Sequence, residues 1–233
     1  MGETYVTGAS GDAEAPADIA VQPDGRVTRA ARTRASVVDA LLALNDRGEL
    51  RPTARDIAKQ AGVSLRSLYV HFDDLEALFV AASQRHTERL VRELPPLVTD
   101  GALEPRLDAF LARRSRIHEF GAGVRRAALL QEPFSPVLKQ ALATGRQSLR
   151  NELTSCFAPE LAVASPPDRL VLALDIATSS AAWESLRVHQ HMTVDEAVAQ
   201  VRDMVLAFLD AWVPSSAGDP TPTTRPSAVS PQG

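Results

Sequence analysis

Gly62 limits the folds open to this chain more than any other residue, because it stands between two helix starts too close together for either helix to be long. Upstream of it, Thr53 offers a hydroxyl N-cap with Asp56 at the third helical position, close to a capping box in which Asp replaces the usual Glu or Gln. The helix opened there, Ala54 to about Gln60, is broken by Gly62 in Ala-Gly-Val-Ser. Ser64 then caps the next helix, with Val63 and Leu68 spaced as a hydrophobic staple. A turn of about three to four residues between two short helices is the pattern of a helix-turn-helix, in which one helix braces the other.

The flanking sequence supplies the helices that such a pair needs. From about Thr28 to Asn45, Val37, Leu41 and Leu44 recur on one face with Val38 and Leu42 alongside, and Gly48 stops the pattern. After Phe72, Asp73 is expected to cap a longer helix with Glu76 in its first turn. Leu75, Leu78, Phe79 and Ala82 form its apolar face, and Pro95 and Pro96 end it. Further helices are expected at about 103–119, 122–131, 134–157, 167–189 and 193–212. Pro166, Pro167 and Asp168 open the fourth of these, and Thr193 with Glu196 opens the fifth. There is no internal repeat and no alternating strand pattern, and only 5% of residues are aromatic, so the chain reads as all-α.

Domain organisation follows from the same pattern. Residues 1–25 carry no apolar periodicity and read as a disordered leader, and residues 213–233, rich in proline, read as a disordered tail. Residues 26–79 form the expected helix-turn-helix domain and 80–212 a larger helical domain. No run of about 18 uncharged apolar residues occurs, and Met1–Gly25 has five acids and no Lys or Arg, so a soluble, cytoplasmic protein with no membrane partner is expected. Cys156 is the single cysteine, which excludes an intrachain disulfide and a thiolate metal cluster.

The net charge of −4 conceals an uneven distribution. Between Arg26 and His71 nine basic residues face four acids, 9 − 4 = +5, which suits a polyanionic partner. At about 100° per residue, Leu68 and Phe72 lie about 40° apart on one side of the second short helix, while Arg66 and Val70 lie about 160° from Leu68. Arg66 therefore points outward, with a fork suited to guanine, and Leu65 near the helix start is placed to meet a thymine methyl. Ser67 and Tyr69 lie on the two flanks, where hydroxyls reach phosphates. Free backbone N–H groups at Thr53 and Ser64 favour a phosphate, a contact that Thr53 and Lys59 extend. Arg26, Arg29, Arg32 and Arg34 read as an arm able to touch backbone or enter a minor groove. Double-stranded DNA is the expected partner.

Thr53-Ala-Arg-Asp-Ile-Ala to Ala61-Gly-Val-Ser, followed by Leu68-Tyr-Val-His-Phe72 and Leu75-Glu-Ala-Leu78, resembles the TetR family of repressors over about 50 residues. The resemblance implies phosphate contacts by Thr53, Tyr69 and His71 and base contacts from Leu65 and Arg66. It also implies an unknown small-molecule effector bound by the larger domain. One departure stands out: where the family often has a phosphate-binding Lys at the start of the fourth helix, this chain has Leu75.

Beyond Pro96 the sequence is less explicit. Arg113, His118, Gln131, Trp183 and Arg187 are the candidate effector ligands, with Arg114 and His189 as further polar groups beside apolar stretches. The helices at 167–189 and 193–212 are apolar around more than one stripe, which points to a homodimer through them, and a two-fold pair reads a palindromic operator. His189 and His191 make only two ligands and read as a cationic helix end, not a metal site. No cofactor is expected, and no nucleotide-binding loop, zinc-protease motif or nucleophile elbow is present, so no catalytic residue is assigned.

Overall fold

The computed structural model describes residues 25–214, so nearly all of the expected leader and tail lie outside the described residues. Eleven helices follow one another among them: α1 (Gly25–Asp46), α2 (Ala54–Ala61), α3 (Leu65–His71), α4 (Leu75–Glu93), α5 (Leu103–Glu119), α6 (Ala122–Gln131), α7 (Pro136–Cys156), α8 (Ala158–Val163), α9 (Pro167–Ala177), α10 (Ser180–Glu184) and α11 (Val194–Trp212). A 3₁₀ turn, Glu132–Phe134, precedes α7, and a π turn, Ser185–His189, extends α10. The chain is all-α.

The first core gathers Val37, Leu41, Ile57, Leu68, Phe72 and Leu78 from α1 to α4. It is closed from outside by Val124 of α6, so the larger domain contributes a side chain to it. Asp39 of α1 accepts from two arginines of α4, Arg85 Nε at 2.5 Å and Arg89 at 2.7 Å, which ties the two helices across the edge of this core. α4 runs unbroken through residues 79 and 80, so the expected domain division falls inside a helix.

The second core is built from α5, α7, α9, α10 and α11 around Phe110, Leu153, Phe157, Leu174, Trp183 and Val205. Arg106, only 2% exposed, is buried at its edge. There it donates to the Gly101 and Cys156 carbonyls and pairs with Glu160 of α8. A buried guanidinium is tolerable only with such a full set of acceptors. No helix among the described residues is long and apolar enough to cross a membrane.

Three sequence expectations need correction. Asp74, not Asp73, caps α4, accepting from Ala77 N at 2.7 Å. Residues 158–163, left unassigned by the apolar period, form α8, whose Glu160 meets Arg106. The expected helix 167–189 is broken at Thr178, where Ser179 takes an extended conformation and caps α10 by accepting from Ala182 N. A hydroxyl cap so placed competes with helix continuation.

The two cores meet where the start of α6 lies on the end of α1. A Cβ built on Gly123 would stand 2.2 Å from the Asn45 carbonyl oxygen, and one on Gly121 would stand 2.0 Å from the His86 ring. Because the obstacle at Gly123 is backbone, it cannot swing away. The Gly123→Ala variant is expected to lose about 1–3 kcal/mol of stability by overpacking, read by urea unfolding. A variant as stable as the wild type would mean that α6 does not depend on this close approach.

Candidate nucleic-acid interface

The geometry of the second short helix follows from its caps. Ser64 Oγ accepts from Ser67 N at 3.0 Å and fixes the first turn of α3, while Gly62, at φ 69°, closes α2 by donating to the Ala58 and Lys59 carbonyls. Leu68 is fully buried and Phe72 nearly so, which anchors one side of α3 in the first core. Leu65, Arg66, Tyr69 and Val70 are exposed, Ser67 and His71 half-buried. The outward face is therefore Leu65, Arg66 and Val70, with Tyr69 on its flank. Val70, 73% exposed, was not assigned a contact from sequence, although the helical angle that turns Arg66 outward turns it outward too.

Thr53 differs from expectation in a way that matters. Its backbone N–H donates to Asp56 Oδ2 at 3.0 Å and its hydroxyl donates to the same oxygen at 2.5 Å, while Thr53 Oγ1 accepts from Asp56 N. The N–H expected to be free for a phosphate is thus occupied, a correction to the sequence reading. These bonds, the side-chain one first, hold the Asp56 carboxyl below its ordinary range. Lys59 is exposed at the other end of α2.

Arg26, Arg29, Arg32 and Arg34 do not form an extended arm, because all four lie in the first turns of α1. Helix-forming Ala30, Ala31 and Ala35 are interleaved with them, and Arg34 is committed to the Phe72 ring, its guanidinium 4.8 Å from the centroid. The structure thus collects Leu65, Arg66, Ser67, Tyr69 and Val70 on one seven-residue helix, with Thr53 and Lys59 at the ends of its brace. Leu75, at the first position of α4, packs against the first core.

Residues 40–82 match the family of bacterial regulatory proteins, tetR family. The matched segment is the helix-turn-helix with the end of α1 and the start of α4. Solved structures extend the likeness to the whole fold. A transcriptional regulator from Rhodococcus sp. Rha1 superposes with a TM-score of 0.61 at 17% identity, covering 78% of this chain and 97% of its own. A tetR-family transcriptional regulator from Streptomyces coelicolor gives 0.59 at 21% identity, covering 78% and 83%. A candidate regulator from Saccharomonospora viridis, in complex with choline, gives 0.56 at 16% identity, covering 76% and 96%. No curated protein matches the sequence.

Among the described residues the candidate effector residues do not converge on one open cavity. His118, Trp183 and Arg187 come together in the second core. His118 Nε2–H donates to the Thr178 carbonyl at 3.0 Å, its ring lies 5.7 Å from that of Trp183, and Trp183 Nε1 and Arg187 Nε both donate to Glu119 Oε1. The Arg187 bond, with help from that of Trp183, holds the Glu119 carboxyl low. Arg113 donates to the Pro95 carbonyl and to Glu152, each at 2.6 Å. Buried Arg114 lies over the Phe110 ring and donates to the Leu149 carbonyl, and burial pulls its guanidinium down to about 10. Gln131 stands apart, at the end of α6 beside the helix-turn-helix. His189 is exposed at the end of the π turn.

Burial drives the His118 imidazole down to about 3, and the Thr178 bond acts in the opposite direction. The folded-state value lies below the unfolded value of about 6.5, so the unfolded chain holds more protons between the two. Stability from neutral His118 is complete above about pH 6.5 and is lost as pH falls toward 3, by about 1.4 kcal/mol per unit. Urea unfolding at pH 7 and pH 5 should show a loss of about 2 kcal/mol that a His118→Gln variant lacks. An equal acid slope in both proteins would remove His118 as its source.

Proposed function

We propose that this protein is a repressor that docks as a homodimer on a palindromic operator and is released by a small molecule. The observation that carries the reading is the two-sidedness of α3, with Leu68 and Phe72 locked in the core and Leu65, Arg66 and Val70 exposed. Arg66 reads a guanine and Leu65 a thymine methyl. Ser64, Ser67, Tyr69, His71, Lys59 and Thr53 hold phosphates, Thr53 by exchanging its bond to Asp56. The division of labour places the reader in residues 26–79 and effector binding and dimerisation in 80–212. The choline held by the Saccharomonospora viridis regulator supports a small-molecule effector here.

Dimerisation is supported by α9, where Leu170 and Leu174 are buried while Leu172 and Ile176, one turn apart, are 52% and 61% exposed. In α11 the stripe Met204, Phe208, Trp212 is half-buried against the second core. A two-fold contact through α9 and α11 would cover both and set two copies of α3 on one face of a duplex.

Footprinting on the DNA flanking its own coding region should reveal a protected palindrome. On that site Arg66→Ala should cost about 1–3 kcal/mol at one base position of each half-site, whereas Tyr69→Phe should weaken all sequences alike. A folded dimer that protects no palindrome, or two variants that lose affinity uniformly, would overturn these assignments.

A further inference from the structure

A groove of about 600 Å³ runs between the helix-turn-helix and the larger domain, away from the packed His118 cluster. Its size suits a drug-sized molecule. The walls are largely apolar and include Phe79 of α4 and Phe134 of the 3₁₀ turn, the latter 77% exposed. Set among these rings is one half-buried carboxylate, Glu76. It is held in place by buried Ser135, whose hydroxyl donates to Glu76 Oε1 at 2.5 Å while its oxygen caps α7. Among the described residues no hydrogen bond reaches its second carboxylate oxygen and no arginine or lysine pairs with Glu76.

An oriented carboxylate with no cationic partner, in a groove lined by aromatic side chains, is a site for an organic cation. The charge is met by Glu76 and by the rings, and the apolar body lies along the groove. The groove is also lined by Thr53 and Tyr69, two of the residues proposed above to hold phosphates. We propose that this interdomain groove binds a lipophilic organic cation, and that its occupant competes with DNA for Thr53 and Tyr69. The competition rests on the regulator reading, whereas the binding site does not. Exposed Arg51 also lines the groove, so an organic anion is the alternative that the test must separate.

Tetraphenylphosphonium and tetraphenylborate share a shape and differ in charge sign. Calorimetric titration of the full chain, without DNA, should show the cation binding at least tenfold more tightly than the anion. Glu76→Gln, whose amide oxygen still accepts from Ser135, should weaken the cation at least tenfold, and Phe134→Ala, at an exposed position, should weaken it too. A random-sequence duplex at low salt, followed by anisotropy, should be released by the cation from the wild type but not from Glu76→Gln. Equal binding of the two ions, or Glu76→Gln binding the cation as tightly as wild type, would overturn the site. Undiminished duplex affinity with the groove filled would overturn the competition. A protein that binds no duplex even without the cation would instead defeat the regulator reading, and the calorimetry would still decide the site.

Discussion

The approach of α6 to the end of α1 is the contact on which the relation between the two cores depends. Gly123 brings its Cα against the Asn45 carbonyl, and Gly121 makes room for His86, which stacks on Phe120 at 5.3 Å. With any side chain at Gly123 the helices would separate, and Val124 would be drawn out of the first core. Burial lowers the His86 imidazole, so this seam is closed with a neutral ring. α4, continuous from the first core to the edge of the second, is a second link. Ser135 at the start of α7, bonded to Glu76 of α4, is a third.

At the other edge of the first core, Asp39 draws Arg85 and Arg89 onto α1. All three side chains are partly exposed, so the pair steadies the angle between α1 and α4 more than it adds to stability. Those arginines are spent inside the protein. The positive charge left for an external anion lies on the exposed side chains of α1, α2 and α3, among them Arg29, Arg32, Lys59 and Arg66. A chain of net charge −4 can therefore present a basic face.

What the sequence made legible was what short-range chemistry decides. The Thr53–Asp56 and Thr193–Glu196 boxes, the left-handed Gly62, the Ser64 cap and the outward turn of Arg66 depend only on neighbours within one helical turn. What it did not reveal was decided at long range. Asp73 and Asp74 are equally able to cap, and only the path of the chain after the extended Phe72 chooses Asp74. α8 is too short to show a period and is held through Glu160 by Arg106, 54 residues away. The break at Thr178 releases a carbonyl for His118, 60 residues away, and no local pattern predicts that partner. The groove is lined from α2, α3, α4, α6 and α7, so no single segment carries its signature.

Thr53 is the point at which capping and phosphate binding compete. Its hydroxyl and its N–H are both held by Asp56, so the start of α2 is capped from within the chain. A phosphate that takes the Thr53 N–H or hydroxyl must displace a carboxylate oxygen, which exchanges one charge-assisted acceptor for another and costs little in net bonding. That exchange leaves the Asp56 charge beside the incoming phosphate, a repulsion that salt would screen. In this chain α2 is therefore a brace first and a phosphate ligand second. Exposed Arg66 on α3 has no partner to give up among the described residues, so base reading starts from the side chain that is free.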